Sequence, residues 1–252
     1  MGKPLEGKTV LVTGGSGGIG AAIVKQLAAE GACVLVHYGR DQAAAERVLA
    51  AAGGDGCVIQ GDLASSTGAF DLWTRAVEVA GRIDALVNNA GIRTEISIEA
   101  EPEDWTRAWR NEFQVNFFAA ADLCREAIRH FQRNGGGRIV NMASRAGQRG
   151  YSADALPYGA TKAALINLTR SIARSFGQDR IVAVAIAPGW VRTDMAERFI
   201  ATQGKQAAVA DIPIGELAEP GDVAELVAFV LRNSQASLNG STLDVNGGSY
   251  IR

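Results

Sequence analysis

In the run Tyr158-Gly159-Ala160-Thr161-Lys162 a phenol and an ammonium stand four residues apart. Positions i and i+4 share one face of a helix, so both side chains can reach the same space. A tyrosine with a pKa near 10 is a poor acid or base at neutral pH, and a cation held beside it favours the phenolate and lowers that value. The pair reads as a proton-transfer couple on a helix whose first turn is preset by Pro157. With four Tyr and five Lys in 252 residues, chance would supply only about 0.08 such pairs.

A second candidate lies near the N-terminus, where Thr13-Gly14-Gly15-Ser16-Gly17-Gly18-Ile19-Gly20 follows an apolar run and opens a helical one. Glycines there let backbone approach a pyrophosphate, and the free N–H groups and dipole of the helix start favour its charge. Gly14-Gly15-Ser16-Gly17-Gly18 also satisfies the G-x-S-x-G elbow of serine hydrolases. That chemistry needs an acid and then a histidine later in the chain. The two histidines are His37, at the tip of the second apolar run, and His130, inside a long helical stretch. Neither follows a late strand, so nucleotide binding is the reading adopted.

The elements that must position these groups alternate along the whole chain. Apolar runs at 8–13, 33–37, 57–61, 85–88, 138–142, 181–187 and 242–245 read as buried parallel strands. Helical patterns fill 18–30, 42–52, 67–80, 103–134, 157–176 and 222–233, with Gly31, Gly53, Gly81, Gly135 and Gly177 as stop signals. The expectation is one doubly wound α/β domain, a seven-stranded parallel sheet with helices on both faces. Only 195–219, polar and rich in Ala and Gln, breaks the rhythm, and its place after a late strand suits a lid over the substrate.

Composition narrows the function. Thirty glycines in 252 residues, about 12%, exceed the usual share of roughly 7%. A net charge of -2 offers no surplus for gripping nucleic acid or anionic lipid. Cys33, Cys57 and Cys124 form no metal-type cluster, so neither a metal site nor a disulfide framework is expected. No stretch approaches about 18 uninterrupted apolar residues, and the start of the chain carries no signal core; a soluble, cytoplasmic protein is expected.

Taken in order, these motifs resemble the short-chain dehydrogenase/reductase family over the whole chain. The residues that carry the resemblance are the Thr13 to Gly20 turn, Asp62-Leu63, Asn88-Asn89-Ala90-Gly91, Asn116, Ser144, Tyr158 with Lys162, Pro188-Gly189 followed by Thr193, and the terminal Asp244-Val245-Asn246-Gly247-Gly248. The resemblance implies a Rossmann-type fold and hydride transfer between a nicotinamide and a carbonyl or carbinol carbon. It makes Tyr158 the general acid or base, Lys162 the group that lowers its pKa and holds the ribose, Ser144 the partner of the substrate oxygen, and Asn116 the anchor of a water that links Lys162 to solvent. It assigns cofactor contacts to Gly14, Ser16, Gly18, Ile19, Gly20, Asp62, Leu63, Asn89, Ala90, Gly91, Tyr158, Lys162, Pro188, Gly189, Val191 and Thr193. Where relatives that select NAD carry an acid at the end of the second strand this chain has Tyr38, and Arg40 stands close enough to grip a 2′-phosphate. NADP(H) is therefore favoured over NAD(H), although Gly17 stands where many NADP-using relatives have a basic residue and Asp41 is near enough to swing in.

Within the family, segments 187–195, 220–231 and 239–250 look most like 3-oxoacyl-thioester reductases. An acyl-carrier protein is then a candidate partner, with Arg125, Arg129 and Arg133 or Arg170 and Arg174 as its docking row. The loop from Ser144 to Tyr158 is one residue longer than in that group and carries Arg145 and Arg149, which suits a polar or anionic substrate; Trp190, Trp105 and Trp109 suit an apolar one. The rival activities are an alcohol, sugar or steroid dehydrogenase working oxidatively and a nicotinamide-binding regulator without catalysis. Family members join as dimers or tetramers through the fourth and fifth helices and the last strand, and the same is expected here.

Overall fold

Seven apolar runs form one all-parallel sheet in the computed structural model, which describes residues 2–251 apart from the side chains of Met195, Arg198 and Gln203. The strands are β1 (Thr9–Val12), β2 (Cys33–Tyr38), β3 (Gly56–Gln60), β4 (Ala85–Asn88), β5 (Gly137–Met142), β6 (Ile181–Pro188) and β7 (Thr242–Val245), in the order β3-β2-β1-β4-β5-β6-β7. Alternation sends Val10 and Val12 of β1 to one face and Leu11 to the other; Val34 and Val36 of β2 part from Leu35 in the same way. Both faces are therefore buried, as a sheet flanked by crossover helices requires.

Helices α1 (Gly18–Ala29), α2 (Gln42–Ala52), α3 (Gly68–Ala80), α4 (Pro102–Phe113), α5 (Ala119–Arg133), α6 (Ala146–Arg149), α7 (Leu156–Phe176), α8 (Asp194–Gln203), α9 (Lys205–Val209) and α10 (Pro220–Leu231) make the connections and flanking layers. Ile23 and Leu27 of α1 and Val223 and Val227 of α10 cover one face of the sheet. Leu72 of α3, Leu123 of α5 and Ile172 of α7 cover the other. A fully buried leucine of this kind contributes about 1.5–3 kcal/mol. The strand order reverses between β1 and β4, which opens a crevice at their C-terminal ends.

One expectation needs correction, and two segments take a form that the sequence did not specify. The helix expected over 103–134 is two α-helices joined by a π-helical turn, Gln114–Phe118. The turn centres on Asn116, whose amide bonds the backbone of Ile92 outside the helix, offsetting the ladder bonds displaced there. Helix α7 stops at Gly177, whose φ is -61°, and Arg180 takes the positive φ of 58° before β6. Segment 195–219 is largely helical, α8 and α9 closing a small core of Ala196, Ala208 and Leu217 apart from the sheet. Among the described residues no helix is long and apolar enough to cross a membrane.

Candidate active site

The glycine turn owes its shape to what crowds it. A Cβ on Gly20 would lie 2.1 Å from the Gly14 carbonyl oxygen and 2.6 Å from Asn89 Nδ2, and one on Gly14 would lie 2.9 Å from Ala90 Cα. Thr13, at the end of β1, accepts from the backbone N–H groups of Asn89 and Ala90 at 2.9 and 3.0 Å. Asn89 returns its amide to the carbonyls of Thr13 and Gly14. His37 completes the brace: Gly14 N–H donates to its Nδ1 at 3.0 Å, and its Nε2 bonds the Gly61 carbonyl at 3.1 Å. Burial pushes the His37 pKa down to about 4, so the ring is neutral at physiological pH. His130 accepts from Ile83 N–H on the far side of the sheet. Both histidines are thus engaged with backbone, and neither serves Ser16 as a base.

Two cavities run along the strand ends. One lies over the turn and is lined by Gly14, Gly18, Gly20, Ala90, Asp62 and Leu63, with Arg40 at its rim. The other is lined by Ser144, Tyr158, Lys162, Pro188, Gly189 and Val191. Ile19, Asn89, Gly91 and Thr193 line both, so the two form one continuous cleft. Its narrow glycine floor at a helix start and its open run to Tyr158 fit an extended dinucleotide. Of the expected contacts, Ser16 lines neither cavity. Tyr38 is buried and donates to Gln42 at 3.0 Å, while Asp41 caps α2 by accepting from Ala44 N–H at 2.8 Å. Asp41 is thereby held away, and Arg40 is exposed with no ion pair among the described residues.

Ser144 follows β5 and is buried, its Oγ accepting from Ala146 N–H at 3.1 Å. Burial pushes the Tyr158 pKa up to about 12, against the pull of a hydrogen bond from Ser144. The Lys162 Nζ lies 5.7 Å from the Tyr158 ring centroid and donates to the Met142 carbonyl at 2.8 Å. Burial brings Lys162 down to about 8, with Glu112 opposing the fall. The structure therefore holds a protonated phenol next to an ammonium within reach of titration. Asn116 reaches neither cavity, but a Cβ on Gly91 would lie 3.3 Å from both Asn116 Oδ1 and Lys162 Nζ, so one backbone strip separates the two side chains.

Sequence reasoning missed the support beneath these groups. Glu112 is fully buried one turn before Asn116, accepting from Thr94 N–H at 2.9 Å and from Asn116 Nδ2 at 3.4 Å. Burial raises its pKa, with the Thr94 bonds, Lys162 and Arg93 acting downward. Thr161 Oγ1 joins Asn116 to the Tyr158 carbonyl at 3.2 and 2.9 Å. Asn88 donates to Asn141 and Asn141 to Thr169, each at 2.9 Å, tying β4, β5 and α7 together. The spacing of Glu112 and Asn116, four apart on one helical face, was the available signal.

Toward solvent, Trp190 packs on Phe199 at 4.9 Å and borders the cavity, whereas Trp105 packs on Trp109 and Trp109 stacks on Phe113 along α4, and neither tryptophan lines it. Arg125, Arg129, Arg133, Arg170 and Arg174 are exposed, Arg125 pairing with Glu126.

Comparison with known proteins agrees with this geometry. The family profile for short chain dehydrogenase matches residues 8–204. A 3-oxoacyl-(acyl-carrier-protein) reductase of Staphylococcus aureus is 33% identical over 248 residues, covering 97% of this chain and 98% of that protein. A short-chain type dehydrogenase/reductase of Picea abies is 35% identical over 259 residues, covering 97% and 93%. Among solved structures, a double mutant of a Serratia marcescens short-chain dehydrogenase/reductase superposes with a TM-score of 0.90 at 34% identity, covering 98% of this chain and 100% of that one. The chain is an oxidoreductase that belongs to the short-chain dehydrogenase/reductase family.

Proposed function

We propose that this protein reduces a ketone with NADPH, on a substrate of the 3-oxoacyl-thioester kind or a related carbonyl compound. The observation that carries the reading is the continuous cleft, with the glycine turn at one end and Ser144, Tyr158 and Lys162 at the other. The turn, Asp62, Leu63 and Asn89 to Gly91 would hold the adenosine and pyrophosphate, and Pro188, Gly189, Val191 and Thr193 the nicotinamide end. When bound, the nicotinamide supplies the hydride. Ser144 donates a hydrogen bond to the substrate oxygen, and Tyr158, protonated because it is buried, gives that oxygen its proton. Lys162 holds ribose hydroxyls and carries positive charge toward Tyr158 as the proton leaves. Asn116 contributes by fixing the Ile92 backbone and the wider turn, from which a water can serve Lys162.

NADPH is preferred over NADH because Arg40, at the rim, has no ion pair among the described residues and Tyr38, not an acid, ends β2. Segment 195–219 acts as the lid of a single catalytic domain; Ala196 of α8 already borders the reacting cavity. The name of the Staphylococcus aureus relative supports an acyl-carrier protein as partner, met by the exposed arginines of α5 or α7. Assembly as a dimer or tetramer through α4, α5, α7 and the last strand, in the cytoplasm, completes the proposal. A panel of acetoacetyl thioesters, simple ketones, steroids and polyols, each with both cofactors, tests it. Ketone reduction that is faster with NADPH is expected. Equal efficiency with both cofactors removes the cofactor assignment, and turnover confined to polyol oxidation replaces the reductase reading with the dehydrogenase one.

A further inference from the structure

Three arginines gather at the substrate end of the cleft. Arg145 follows Ser144, is 4% exposed, and lines the cavity of Ser144 and Tyr158. Its Nη1 donates to Asp211 Oδ2 at 3.0 Å, and Nη2 of Arg149, one turn on in α6, donates to the same oxygen at 2.7 Å. Arg93 arrives from the loop after β4 and lays its guanidinium 5.4 Å from the centroid of the Tyr151 ring, itself 5.5 Å from the ring of Tyr158. Arg93 Nη1 meets Glu95 at 2.5 Å and Nη2 lies 3.9 Å from Asp154, both carboxylates exposed, while its Nε is buried with no hydrogen-bond partner among the described residues. A second cavity continues outward from the first, sharing Arg93, Arg145, Tyr151 and Trp190 with it and bordered by Asp211.

Arg145 and Arg149 share one carboxylate, so the trio with Asp211 keeps one positive charge, whereas Arg93 is matched by the exposed Glu95 and Asp154. A guanidinium held out of water with a donor unmatched is costly unless a ligand completes it. Burial works to raise the Asp211 pKa, but the bonds and charges of Arg145 and Arg149 outweigh it and keep this carboxyl below its ordinary value. Asp211, after α9, thus marks a position where a carboxylate is already well received.

The geometry points to an anion subsite: Arg145 and Arg93 receive a carboxylate carried by the substrate itself, a few bonds from the carbonyl that faces Ser144 and Tyr158. The substrate class is an oxo acid, reduced to the hydroxy acid, with Asp211 as the internal carboxylate that competes for Arg145. Planar guanidinium suits this task because it presents paired donors to a carboxylate. The phosphate of a carrier's pantetheine arm lies at the far end of a long chain from the thioester, whereas Arg145 directly follows Ser144. This inference rests on the proposed reading that Ser144 and Tyr158 flank the reacting carbonyl.

The test uses pyruvate, acetoacetate and 4-oxopentanoate, each against its own methyl ester, with NADPH. For at least one pair the acid should exceed the ester in kcat/KM by about tenfold or more, as loss of a charge-assisted hydrogen bond would predict. Arg93→Met and Arg145→Met should bring that ratio toward one, chiefly through KM. Asp211→Asn, at an exposed position, should widen it, which keeps the subsite testable even if removal of buried Arg145 unfolds the chain. Turnover of esters equal to or above that of acids in every pair overturns the subsite and leaves the reductase reading standing. If no carbonyl is turned over, calorimetric titration of the NADPH-loaded protein decides separately: acid binding that Arg93→Met abolishes sustains the subsite without the reductase, and equal or absent binding of acid and ester removes it.

Discussion

At the dinucleotide end of the cleft the shape is set by backbone: Gly14 and Gly20 pass within contact of Ala90, Asn89 and each other, and Thr13 and His37 bond main-chain groups of β4 and of the turn. At the substrate end it is set by long side chains from separate loops, Arg93, Arg145, Trp190 and Asp211 among them. The first construction leaves little room for change, because a single Cβ collides with a carbonyl. The second can be re-lined one residue at a time while Ser144, Tyr158 and Lys162 stay where β5 and α7 put them. One fold can keep its hydride chemistry and vary what it reduces by this division.

The groups where the two ends meet should give the largest effect. Tyr158→Phe is expected to lower kcat by about 10²–10⁴-fold while NADPH still binds, read by steady-state rates beside a fluorescence titration of the cofactor. Intact turnover in that variant would instead favour a binding protein without catalysis. Next comes the backbone end. Gly20→Ala should weaken cofactor binding by roughly 1–3 kcal/mol, because its new methyl meets the Gly14 oxygen at 2.1 Å. Gly17→Ala, with φ -167° and nothing within 4 Å, should change affinity by no more than about 0.5 kcal/mol. If both substitutions act alike, the claim that backbone crowding shapes this end is lost.

Arg40 offers a sharper test of where side chains matter at the dinucleotide end. Arg40→Ala should raise the KM for NADPH about tenfold and leave that for NADH near its original value, narrowing the preference between them. The smallest expected effect is a shift in pH dependence. Lys162 titrates at about 8, charged below that value, so reduction should fall as pH rises through it. Glu112 favours the charged form; Glu112→Gln should therefore move the alkaline limb to lower pH by less than about one unit. An unmoved limb would assign Glu112 to structure alone.

The same division explains what could be read from the chain. The sheet, its crossover helices and the glycine turn were legible because strand burial and tight turns impose residue types at fixed local spacing, as in the runs at β1 and β2 and at Gly14 to Gly20. Tyr158 and Lys162 were legible for the same reason, four apart on α7. The break at Asn116 was not, since nothing local tells a π turn from continuous helix; its cause is the Ile92 backbone 24 residues away. Nor was the meeting of Arg145 with Asp211, 66 residues apart, or of Asn88 with Asn141, 53 apart. Those contacts belong to tertiary packing and leave no periodic trace.

The central claim is that the two ends form one machine, with the nicotinamide delivered from the glycine turn to the carbonyl held by Ser144 and Tyr158. It is tested most directly by following deuterium from NADPH that carries deuterium at both C4 positions of the nicotinamide into the product of the best carbonyl substrate by mass spectrometry. The account predicts label on the carbinol carbon in proportion to NADPH consumed. NADPH oxidation with no label in the alcohol, or no oxidation with any carbonyl offered, would contradict it.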